Sequence, residues 1–77
     1  MTIRKKFLKL EFYRKKYGYS QKDMSVLLGL CSSSYSHKET GRVPFNYDEM
    51  ITIYEAFNKK AKKAGDLQLT LNDIFLP

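Results

Sequence analysis

One cysteine, Cys31, is the only thiol in the 77 residues. An internal disulfide framework is therefore excluded, and a reducing compartment is the natural home. There is also a single histidine, His37, and it falls in the same short segment as Cys31. The two have no third group to orient them as a catalytic pair, and no cluster of ligating residues has metal spacing. The four glycines are scattered, so no glycine-rich loop cradles a phosphate. The expectation is a protein that is not an enzyme, holds no metal or cofactor and takes no small-molecule substrate. Long apolar runs are missing too. Nothing approaches the ~18 residues of a membrane span, and MTIRKKFLKL lacks the apolar run and cleavage site of a signal peptide. A soluble, cytoplasmic chain without a membrane partner is expected.

What is present is apolar content and positive charge. At 43% hydrophobic residues the chain can build a core, and its length suits one domain over 1–77. The net charge is +6 and uneven. Arg4, Lys5, Lys6, Lys9, Arg14, Lys15 and Lys16 crowd the first segment, and Lys59, Lys60, Lys62 and Lys63 a later one. Such a bias suits a polyanion, by phosphate neutralisation and counterion release. The same lysines would also serve simply to solvate helices.

Periodicity is helical throughout, which predicts an all-α fold: a compact bundle of about five short helices. Ile3, Phe7, Leu10, Tyr13 and Tyr17 share one arc of a first helix, which Gly18 can stop. Ser20 and Asp23 have the spacing of a capping box for a second helix running to about Leu28, with Gly29 able to take a positive φ. A third helix is predicted over roughly 32–39, followed by a loop containing Pro44. Asn46 and Glu49 start a fourth, with Tyr47, Met50, Tyr54, Phe57 and Ala61 on one face and an end near Gly65. Thr70 and Asp73 start a terminal turn carrying Leu71, Ile74 and Phe75. In the tail, 66–77, the stretch 66–69 fits either a linker or an extended pairing. So small a bundle leaves little surplus stability, and a homodimer would supplement it.

The most informative unit is GYSQKDMSVLLGLCSSSYSHKETG, Gly18 to Gly41. Two short helices flank a tight turn at Gly29-Leu30-Cys31. Leu30 and Tyr35 point inward, and the small Ser25 lies where the helices approach. This is the layout of a helix-turn-helix, spanning about 20–39. The matching residues are Tyr13-Arg14, Gly18-Tyr19-Ser20-Gln21, Met24-Ser25, Leu28-Gly29-Leu30, Tyr35-Ser36 and Glu39-Thr40-Gly41. Tyr47, Met50, Ile51, Ile53 and Phe57 then follow at matching intervals. With them the sequence resembles the phage-repressor and Cro-like helix-turn-helix family, also called the xenobiotic-response-element family, over about residues 6 to 58.

The resemblance implies a lambda-repressor-like domain on double-stranded DNA, as in a small phage or mobile-element regulator. Its base contacts would come from Gln21, Ser32, Ser33, Ser36 and His37; glutamine suits an adenine edge, serine several edges and histidine guanine. Thr40, Arg42, Lys22 and Lys38 would hold phosphates. It also implies a partly buried structural ion pair between Arg14 and Glu39. For Gln21 and the serines, the plainer roles are helix-start polarity, capping and solvation.

Several residues depart from the family pattern. Lys38 stands where an apolar or aromatic residue is usual and is expected to snorkel or face solvent. Cys31 takes the place of a serine cap, so Ser32 could cap instead. Phe45 occupies the usual proline place, one after Pro44. Val26 and Leu27 are apolar where polar residues are usual, and Val26 should be exposed. Leu8 and Phe12 form an i,i+4 pair off the main stripe of the first helix; the tail, 74–76, would cover it. Alternatively Leu8, Phe12, Val26 and Leu27 form a protein interface. Two other functions therefore stand beside DNA reading. One is an antirepressor or antitoxin-like module that masks a partner repressor or toxin; the other is non-specific nucleic-acid binding by the lysines.

Overall fold

The computed structural model describes residues 7–75. Ile3, Arg4, Lys5, Lys6 and Leu76, invoked above, lie outside them. Five helices follow one another: α1 (Leu8–Lys16), α2 (Gln21–Leu28), α3 (Ser32–Glu39), α4 (Tyr47–Ala64) and α5 (Leu71–Phe75). No strand occurs among the described residues, and none of their helices is long and apolar enough to cross a membrane.

The helix starts are built by side chains. Ser20 Oγ accepts from the Asp23 amide, and the Asp23 carboxylate accepts from the Ser20 amide, closing the predicted box on α2. Asn46 and Glu49 do the same for α4, and Thr70 and Asp73 for α5. Each box gives partners to amides that a helix start otherwise leaves unbonded. α2 ends on Gly29 at φ 70 and α4 on Gly65 at φ 78, the left-handed geometry that glycine adopts without steric cost. Cys31 is the residue before α3, but its side chain makes no capping bond.

Leu10, Met24, Tyr35, Ile53, Phe57, Leu69 and Ile74 form the buried core, so all five helices and the 66–69 segment contribute to it. That segment is neither a free linker nor a strand. The Asn58 amide donates to the Leu69 carbonyl at 3.0 Å and accepts from the Leu69 amide at 2.6 Å, pinning the chain against α4. Beside the core, Phe45 contacts Phe7 (5.6 Å between centroids), Phe75 (5.5 Å) and Tyr35 (6.2 Å). These tilted and edge-on arrangements are the favoured ones for aromatic pairs.

Two expectations about faces are corrected. Tyr47 does not join the buried face of α4 and is 66% exposed, because Ile53, Phe57 and Ala61 define that face. Nor do the described tail residues cover Leu8 and Phe12, which remain 64% and 61% exposed. Phe75 instead packs edge-on against Phe7 and Phe45, and Ile74 turns into the core. Val26 is exposed, as expected, at 72%.

Candidate nucleic-acid interface

α2 and α3, eight residues each, are joined by the three residues Gly29, Leu30 and Cys31. Met24 and Tyr35 are their fully buried anchors. Ser25 is buried between them, its hydroxyl donating to the Lys22 carbonyl at 2.6 Å. The Gly29 amide bonds back to Val26 and the Leu30 amide to Ser25, which tightens the turn.

The far end of α3 is held by Glu39, which is fully buried. Its Oε1 accepts from Arg14 Nε at 2.7 Å and from the Tyr35 hydroxyl at 2.9 Å. Its Oε2 accepts from Gln21 Nε2 at 3.0 Å and, more weakly, from Arg14 Nη2 at 3.4 Å. Arg14, itself buried, also donates to the Tyr19 carbonyl. A buried ion pair is tolerated when hydrogen bonds satisfy it on every side, and no described buried side-chain polar atom lacks a partner. Burial and the neighbouring Glu39 charge push the Tyr35 phenol well above its ordinary range. One carboxylate thus ties the start of α2 and the end of α3 to α1, and the Phe7 amide adds a bond to the Glu39 carbonyl.

That network fixes what α3 shows to solvent. Ser32, Ser33 and His37 are exposed and Ser36 is half-buried, so four of the expected base-contacting residues share the outer face. Gln21 is half-buried beside them, at the start of α2. Because its Nε2 already donates to Glu39, a base contact from Gln21 must use its second amide proton and its carbonyl. Lys22 is exposed at the same end of α2. The Thr40 hydroxyl donates to the Ser36 carbonyl at 2.9 Å, and the amide of the exposed Arg42 donates to the His37 carbonyl.

Lys38 behaves otherwise. Its ammonium pairs with Glu49 at 2.6 Å, donates to the Pro44 carbonyl and lies over the Phe45 ring, with its side chain only 14% exposed. It neither faces solvent freely nor offers a phosphate contact; it fastens α3 to the start of α4. Nothing local in the sequence signals this pairing, because Glu49 also reads as half of a capping box.

The Cys31 thiol, at the head of α3, is exposed and lies 3.4 Å from Ser33 Oγ and 3.1 Å from Ser34 Oγ. Hydrogen bonds from Ser33 and then Ser34 lower its pKa to about 7. In the sequence Cys31 stands out as the sole thiol and as a replacement for a serine cap; the signal for its lowered pKa is the run of serines just after it.

Comparison with family models, with curated proteins and with solved structures yields no match to this chain.

Proposed function

We propose that this protein is a sequence-specific DNA-binding transcriptional regulator of the phage or mobile-element type, with α2, the turn and α3 acting as a helix-turn-helix and α3 entering the major groove. The observation that carries the proposal is the division of labour within α3. Its inner side is spent on the core and on the Glu39 network, while Ser32, Ser33, Ser36 and His37 hold no core position on the other. Gln21 and Lys22 flank that face, and the chain carries a net charge of +6. Short serines require a close approach, and a rigidly held helix is what allows one.

The test is enrichment from a pool of random-sequence duplexes. Two related half-sites about one helical turn apart should emerge, bound by two copies of the chain. A pool that never converges would sink the proposal. A second reading, a module that masks a partner repressor or toxin, is favoured by the exposed apolar residues Leu8, Phe12, Val26 and Leu27. Val26→Glu separates the two. It should leave duplex binding intact under the first reading and abolish capture of the partner under the second.

A further inference from the structure

A second basic feature lies away from the serine face. Lys16, Lys60 and Lys63 surround a depression of about 430 Å³, floored by Tyr17, Gly18 and Ala64, between the end of α1 and the last turns of α4. Lys60 reaches toward the α1–α2 connection, its ammonium 5.5 Å from the centre of the Tyr19 ring. One carboxylate is close: Asp66 meets Lys16 at 3.4 Å and accepts from the Tyr17 hydroxyl at 3.2 Å. Among the described residues, neither Lys60 nor Lys63 has an acidic partner. A lysine near a helix C-terminus is favoured by the macrodipole alone, which accounts for Lys63. It does not account for lysines of two helices converging on one hollow, nor for Lys60 turning onto Tyr19.

We infer that this depression seats a backbone phosphate of the duplex flank, outside the segment that α3 would read. The inference rests on the proposed DNA-binding function. Position supports it: Gly18, which lines the depression, is three residues from Gln21, at most about 11 Å of extended chain. One strand of a duplex spaces its phosphates by about 3.4 Å along the axis, so that reach spans about three nucleotides. A flank phosphate held here would extend the contact past the start of α2 and add affinity without adding base information.

The experiment compares Lys60→Gln/Lys63→Gln with Lys9→Gln/Lys15→Gln, which removes the same charge elsewhere on exposed sites. Binding to one fixed duplex is followed from 50 to 200 mM salt. Each phosphate contact contributes about 0.9 to the slope of log affinity against log salt, so losing the one seated here lowers it by about 0.9. Wild-type affinity should then fall about 3.5-fold further across that range than the Lys60/Lys63 variant's. The control pair should keep the wild-type slope, and both variants the wild-type preference among sequences. Equal slope losses in the two variants, or none, would overturn the inference. Should the wild type bind no duplex, the DNA-binding function fails by itself, and titration with inorganic pyrophosphate decides the seat. Amide shifts centred on Tyr17, Gly18 and Ala64, absent in the Lys60/Lys63 variant, would uphold an anion seat; scattered shifts or none would remove it.

Discussion

Glu39 is the residue on which the presented face depends. It receives hydrogen bonds from Arg14, Gln21 and Tyr35 while fully buried. Removing one member of such a pair strands the other, at a cost of about 3 kcal/mol or more. Glu39→Ala should therefore lower Tm by on the order of 15 °C in a domain of this size. Thermal unfolding followed by circular dichroism measures it, and an unchanged melting curve would contradict the network. Cys31 gives a second prediction at this scale. With its pKa held down to about 7, the thiolate should form as pH rises through that value. The alkylation rate with iodoacetamide should have its midpoint near pH 7 and move upward in Ser33→Ala/Ser34→Ala. A wild-type midpoint near the ordinary thiol range, about 8.5, would contradict the hydrogen bonds.

Among the elements, the helix starts set the acid response. Hydrogen bonds from the Ser20 backbone and side chain depress the Asp23 pKa, and those from Thr70 do the same for Asp73. Carboxyls more acidic in the fold than in the unfolded chain stabilise it above the unfolded value, about 3.9, and lose that contribution as pH falls below it. Asp23→Asn/Asp73→Asn should therefore be less stable than wild type at neutral pH, with the gap closing below about pH 4. Urea midpoints between pH 2 and 7 measure this; a gap that persists to pH 2 would contradict it. These starts were legible because a capping box is a local pattern of two residues three apart, as were the positive φ at Gly29 and the helix end at Gly65. What escaped is non-local. The Lys38–Glu49 pair spans eleven residues, and the Asn58 clamp on Leu69 another eleven. Periodicity also put Tyr47 on the inner face of α4, but at the first position of the helix it falls beyond the packed region. The fate of Leu8 and Phe12 was missed for a related reason: Phe7 and Phe45 offer α5 an aromatic surface that no single-helix pattern shows.

Taken whole, the molecule separates its stabilising and its presented surfaces. Five helices share one core, Glu39 binds three of them together, and Lys38 closes the α3–α4 loop. The family resemblance implied the Arg14–Glu39 pair and named Ser32, Ser33, Ser36 and His37 on α3, and the structure pairs the first two and sets the other four on the outer face. The sequence did not show that Gln21 is held by that same carboxylate or that Lys38 is committed to Glu49. Both depend on how α1, α2 and α4 meet α3. The central claim is that the outer face of α3 reads duplex sequence. The measurement closest to it is the ratio of affinities for an enriched duplex and a scrambled one, at fixed 150 mM salt, in wild type and in Ser33→Ala/Ser36→Ala. The account predicts a wild-type ratio of about 10³ or more and a marked fall in the variant, with Tm nearly unchanged. A wild-type ratio near one, or a high ratio that survives the double substitution, would contradict it.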